Sequence, residues 1–563
     1  MEPVTPTKPD LTRRQFLTRV AGGTLLAFSL PELLAACTSA GQSTTSTASG
    51  SPGGPSTATL RVGWSSEPDT MNPLTSYSTE GLEVQQLIYD KLMDYDANLK
   101  AVPALATSSD VSSDGTEVTY HLRTGVTWHD GEPFSADDVV FTYTTIAEQA
   151  SSGYAQWLGD MKSCKANGDD VVVTFSKPQA FDPALAIPIL PKHVWEGMSN
   201  ADVQKFANDA PVGTGPYTFG EWKHGQTVSV NRNESFWGTP PGPASILWVL
   251  YQNEDVMAQS MEAGEVDILP EVPPTIYDGI TAKEGLTPVS LPGFSFHHIG
   301  MNVSTASDSK GNPLLLQKEL RQALSCATDR NQLVQIALAG HGKPGAGLIP
   351  PALTDFQLQL TADQELNANP DKANQLLDGL GYTMNADGVR ETSDGTPLEF
   401  RLIAIESTTV DVRAAQLFKD SVAKVGIKID LTTMDENTLG NIVYSTTDWD
   451  LFVWGWDSGV NDPDYLLGVP LTSQIGGNND IYYSNPQYDD LYAQQASELD
   501  LTTRVDLVNQ AQQLFYDDSA YIVMWYQDKL QAYRSDLWTG FADTPGGIIF
   551  NFTRANYTNA TPA

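Results

Sequence analysis

LEFRLIA (398–404), VRAAQLFKDSVAKV (412–425), Gly426 and IKIDL (427–431) set the fold class. The first and last runs read as strands. Between them the apolar positions recur at helical spacing until Gly426 stops the helix. Strand, amphipathic helix and strand at this spacing make a βαβ unit, which predicts a right-handed crossover between parallel strands.

Upstream, Leu320 to Leu324 and Ala327 form a helical stripe, and Asp329 caps a further helix through Leu333, Val334 and Leu338 with Gly340 past its end. Pro370-Asp371-Lys372 opens another helix that ends at Leu380-Gly381. The first half of the chain is richer in strand signals. Thr59 to Gly63 alternates, and Leu82 to Leu92 carries a helical stripe. Val118, Tyr120 and Leu122 alternate with polar residues, a second run covers Val126 to Trp128, and Asp130-Gly131 turns the chain. Ser135 and Asp138 form a capping-box variant that predicts a helix from Ala136. Strands are also expected at 217–219 and 227–230. The glycines of 211–215 and the segment Gly340 to Lys343 lack the Lys-Ser/Thr of a phosphate loop, so tight turns account for them.

The N-terminus predicts export. Thr12-Arg13-Arg14-Gln15-Phe16-Leu17 has the twin-arginine form, and the uncharged run Val20 to Leu30 follows it. That run is far shorter than the roughly 20 residues needed to cross a bilayer, and Pro31-Glu32 interrupts it. Leu34-Ala35-Ala36-Cys37 resembles a bacterial lipobox, which predicts a signal peptide over 1–36 and a lipidated Cys37. Residues 38–57, rich in Ser, Thr, Gly and Pro and without charge, suit a flexible tether. The formal net charge of −37 disfavours binding to phosphate backbones, so no nucleic-acid partner is expected. Of the three cysteines, Cys164 and Cys326 lie in apolar-patterned segments and are expected as two buried thiols.

Five blocks in one order carry a resemblance: TYHLRTGVTWHDGEPFSADDVVFTY (119–143), PVGTGPYTFGEWKHGQTVSVNRNESFWG (211–238), EAGEVDIL (262–269), LRQALSCATDRNQLV (320–334) and WGWDSGVNDPD (454–464). Together they resemble the family 5 solute-binding proteins of ABC importers, the dipeptide- and oligopeptide-binding group. The resemblance implies an α/β, two-lobed periplasmic-binding-protein fold of class II, peptide-binding type, with an additional domain inserted in lobe one. Mapped onto this chain, residues 1–36 are the signal peptide and 37–57 the lipidated cysteine with its linker. Lobe one comprises 58–95, 212–294 and 520–563, the insert 96–211, and lobe two 295–519. Crossings near 290–300 and 515–525 are the expected hinges.

The implied function is capture of a small peptide between the lobes and its delivery to the permease and ATPase of the importer. The protein is expected to be a monomer tethered outside the cytoplasm by Cys37. In the family's peptide binders the segment resembling 454–464 supplies an Asp that holds the ligand's α-ammonium. Alignment on Trp456 and Pro463 puts Gly459 at that place, which leaves Asp457 and Asp462 as substitutes. Trp454 and Trp456 fall on one face by alternation and suit a peptide side chain or a sugar ring. Tyr77, Ser78 and Thr79, in the loop before the first helix, are the lobe-one candidates.

Two rivals stand beside this reading: an oligosaccharide receptor of the same family, and a secreted glycan-active hydrolase. Neither HExxH nor GxSxG occurs, and no local carboxylate pair stands out for glycoside cleavage. No enzymatic activity, cofactor or metal is expected. His297-His298 would face opposite sides of a strand and could not readily chelate one ion together.

Overall fold

The structure is a computed structural model that describes residues 56–148, 153–458 and 460–563. The twin arginines Arg13 and Arg14, the signal peptide, Cys37, most of the linker and Gly459 lie outside the described residues. Strands Glu399–Ile405 and Lys428–Met434 pair in parallel over seven residues, with helix Thr409–Ala423 between them. Gly426 ends the helix with φ +82°, and a Cβ there would lie 2.8 Å from the Met384 sulfur. Only glycine adopts that turn without strain or collision.

These two strands form one end of a mixed sheet. Beyond Glu399–Ile405 come Leu451–Asp457, Ser295–Met301 and the 14-residue strand Tyr521–Arg534. The order continues through Ile268–Leu269, Thr59–Trp64, Ser245–Leu250, Thr227–Arg232 and Tyr217–Lys223. Strand Tyr521–Arg534 belongs to both lobes. Its first half pairs with Ser295–Met301, from Gly300 opposite Tyr521 to His297 opposite Trp525. Its second half pairs with Leu286–Pro292, from Pro292 opposite Asp528 to Leu286 opposite Arg534. The chain therefore passes between lobes at 292–295 and again at 527–528. The second crossing lies beyond the expected 515–525, because pairing within lobe two, with Gly342–Pro344, persists to Gln527. A Cβ on Gly293 would meet the Gln527 carbonyl oxygen at 2.6 Å, so the two crossings touch backbone to backbone.

A separate four-stranded antiparallel sheet is built from Ala106–Val111, Glu117–Leu122, Asp170–Phe175 and Met161–Asn167. Val118, Tyr120 and Leu122 turn inward beneath helix Ala136–Glu148, as their alternation predicts. The helix starts where expected, and Asp138 accepts the Ser135 N–H at 2.9 Å. Two expectations change. Val126 to Trp128 is held by a single bridge between Thr127 and Pro133 rather than forming a strand. The first helix spans Thr79–Ile88 instead of 82–92. Tyr89 turns extended, and its hydroxyl accepts Asn208 Nδ2–H at 2.8 Å. Asp90 is buried against Thr214, Trp237 and Arg554. These long-range bonds hold the two residues better than another helical turn would.

Cys164 and Cys326 are buried, free thiols. No helix among the described residues is long and apolar enough to cross a membrane. Within lobe two, Arg504 on helix Leu501–Asp518 grips the Asp462 carboxylate with both terminal nitrogens, at 2.8 and 2.6 Å, and the pair is buried. Removing one partner of such a pair strands a buried charge. Arg504→Ala should lower unfolding stability by about 3–5 kcal/mol in urea denaturation. Arg504→Met combined with Asp462→Leu, which removes both charges, should lose much less.

Candidate functional site

The switch of strand partners on Tyr521–Arg534 leaves a cleft where the lobes meet. It has a volume of about 670 Å³ and takes its walls from both sides. Tyr77, Thr79, Leu82 and Glu83 come from the start of the first helix, and Glu271 from the loop after Ile268–Leu269. Gly293, Phe294 and Gln527 to Lys529 form the floor at the crossings. His297, Asp411 and Trp454 to Ser458 face them from lobe two.

Trp454 and Trp456 project on the same side of strand Leu451–Asp457. Both indole Nε1–H groups donate to one oxygen of Asp480, at 2.8 and 3.0 Å. The other Asp480 oxygen accepts the Tyr521 hydroxyl. Asp480 is fully buried, so these three donors supply the hydrogen bonds its charge requires. His298 packs on the Tyr521 ring with centroids 3.9 Å apart, and burial lowers its pKa. Trp454 stacks on Tyr444 at 5.7 Å.

The floor is charged. Lys529 Nζ lies 3.6 Å from Glu271 Oε2. Burial works against the ammonium, but Glu271, Asp457 and Glu83 outweigh it and raise the Lys529 pKa. Asp457 is exposed to the cleft, with protein crowded around it. Burial, with Glu271 adding to it, pushes its pKa up to about 6 against the pull of Lys529 and His297. Glu83 is pushed to about 7, mainly by burial, although it accepts bonds from Tyr557 at 3.0 Å and Trp64 at 3.2 Å. His297 donates its Nδ1–H to the Asp411 carboxylate at 2.8 Å. Burial opposes its charge, but Asp411 outweighs it and the pKa is raised.

Of the residues singled out from sequence, Tyr77, Thr79, Trp454, Trp456 and Asp457 line the cleft. Tyr77 is 86% exposed, which leaves its ring free to meet an occupant. Ser78 does not line it. Its hydroxyl donates to Asp69 at 2.8 Å and accepts the Gly81 N–H at 3.1 Å, which caps the helix. Asp462 is also absent from the lining, because Arg504 holds both of its oxygens. Gly459 is outside the described residues. His297 and His298 do point to opposite sides of their strand, the first to Asp411 and the second to Tyr521. Among the described residues, no group of three or more His, Cys, Asp or Glu side chains is placed to hold a metal ion.

Sequence reasoning missed Lys529, Glu271, Glu83 and the His297–Asp411 pair. Lys529 carried a signal, since Asp528-Lys529 interrupts the otherwise apolar strand YIVMWY…L.

The sequence profile described as bacterial extracellular solute-binding proteins, family 5 Middle, matches residues 100–478. Protein XP55 of Streptomyces lividans is 28% identical over 487 residues, 85% of each chain. The glutathione-binding protein GsiB of Escherichia coli strain K12 is 27% identical, over 84% of this chain and 89% of its own. The oligopeptide-binding protein AppA of Bacillus subtilis is 27% identical over 92% of this chain and 95% of its own. The structure of AppA in complex with a nonapeptide superposes with a TM-score of 0.75 at 25% identity, covering 91% of this chain and all of that one. The two-lobed α/β architecture, the cleft at the strand crossing and the profile match over most of the chain place this protein among the family 5 bacterial extracellular solute-binding proteins.

Proposed function

We propose that this protein is the receptor of an ABC importer, which captures a small peptide in the cleft and presents the closed form to the membrane permease and its ATPase. The observation that carries this reading is a cleft walled from both lobes and floored by the segments that join them. An occupant touching both walls favours the closed arrangement by its differential affinity for it. The relatives named for oligopeptide and glutathione binding support a peptide as that occupant. No bond in the ligand need break, so the protein acts without catalysis. The sugar-binding alternative is less favoured, because the floor carries charged groups that suit a zwitterionic ligand.

Asp457, three residues after Trp454, is the proposed anchor for the peptide's α-ammonium, and Trp456 packs against the ligand. Lobe one is taken as 58–95, 212–294 and 528–563, the insert as 96–211 and lobe two as 295–527, with the last boundary moved from 519/520 by the strand pairing. The twin arginines direct export, and a lipid on Cys37 holds a monomeric receptor at the outer face of the cell membrane.

Native mass spectrometry of the purified protein should detect a retained peptide by its mass. A carbohydrate mass instead would overturn the peptide reading. Trp456→Ala should weaken peptide binding by about 2 kcal/mol, or ~30-fold, with an unchanged circular dichroism spectrum. Affinity for a peptide with a free amino terminus should fall as pH drops from 7 to 5. With a pKa of about 6, Asp457 loses the charge that attracts the ammonium, while Lys529 stays cationic beside it and any further protonation of His297 adds positive charge. Calorimetry across pH checks this, and Asp457→Asn should flatten the profile. Cys37→Ala should move the protein from the membrane fraction to the soluble fraction, which fractionation and immunoblotting would read.

A further inference from the structure

The cleft continues on its lobe-two side. A second cavity, of about 460 Å³, lies between helix Glu436–Ser445 and strand Leu451–Asp457. It shares Glu436, Trp454, Gly455 and Trp456 with the cleft, so the two cavities meet at the indoles. Asn437, Asn441, Tyr444 and Ser445 complete the wall, and no cationic side chain lines it.

The tryptophans are constrained in what they can offer. Each has a single polar hydrogen, and both are already given to Asp480. What remains is ring surface, more of it on Trp456 because Trp454 already packs on Tyr444 and Phe452; its quadrupole attracts a positive charge and it stacks on a flat one. Glu436 stands at the shared mouth, exposed, and no cation pairs with it among the described residues. Elsewhere in the cleft the positive groups are matched. Lys529 faces Glu271 and His297 bonds Asp411, which leaves Glu83, Glu436, Asp457 and Asp528 as carboxyl groups without a cation of their own. An aromatic ligand side chain would fill the space but would leave this charge without a counterpart.

We propose that Glu436 and the ring faces of Trp454 and Trp456 form a subsite for a cationic side chain, so that the receptor selects peptides carrying arginine or lysine. This rests on the peptide reading of the cleft. A guanidinium suits the wall better than an ammonium, because its plane can lie on an indole while its edge meets a carboxylate.

The test is calorimetry on tetra-alanine peptides in which arginine, or its uncharged isostere citrulline, occupies each position in turn. At one position arginine should bind at least about tenfold more tightly than citrulline, and the difference should shrink at high salt. Glu436→Gln, an exposed change at the start of a helix, should bring the ratio towards one. Equal affinities for arginine and citrulline at every position would overturn the inference and leave the peptide reading standing. An arginine preference that Glu436→Gln leaves intact would overturn the assignment to this wall. Absence of binding by every peptide, tetra-alanine included, would overturn both.

Discussion

Strand Tyr521–Arg534 has to satisfy hydrogen-bonding partners from two lobes along a single run of backbone. Its first residues pair with Ser295–Met301 and its last with Leu286–Pro292, and the partner changes where Pro292, Gly293 and Phe294 cross. A strand interior leaves no backbone group unpaired without cost, so the place where partners change is fixed by the ladder itself. The cleft sits there because two sheets that share one strand must diverge on either side of it. Gln527, Asp528 and Lys529 then line the gap from the shared strand, and the walls follow from whatever the flanking strands present.

That origin explains the electrostatics. Side chains that reach the crossing are surrounded by protein on most sides, and the loss of hydration weighs heavily in their titration. Asp457 and Glu83 are shifted upward for this reason, and Lys529 keeps its charge only through the surrounding carboxylates. Asp480 is buried among donors. With two indoles and a phenol donating to it, the carboxylate has its hydrogen bonds from neutral groups, and the two tryptophans are fixed as a consequence.

The sequence was most legible where a period survives on a regular element. Alternation placed Val118, Tyr120 and Leu122 inside, and the strand-helix-strand run near 398–431 gave the parallel pair at the sheet's end. It misled where tertiary bonds override local preference, as at Tyr89 and Asp90, which leave the helix to meet Asn208, Thr214 and Arg554. For the cleft, alternation was enough to put Trp454 and Trp456 on one side. It could not bring Asp480, Glu271, Asp411 and Lys529 to them, because each arrives from a different segment and no local period links them. Asp462 shows the opposite error: it is near the tryptophans along the chain, yet Arg504 draws its side chain away from the cleft.

Gly293 has a further effect. Because its hydrogen faces the Gln527 carbonyl, the two crossings meet there peptide against peptide. The neighbouring Phe294 is instead locked into the aromatic stack of Phe550 and Phe552. A change of angle between the halves would then be taken up by backbone torsions at Gly293, with the Phe294 ring held as the fixed side of the joint.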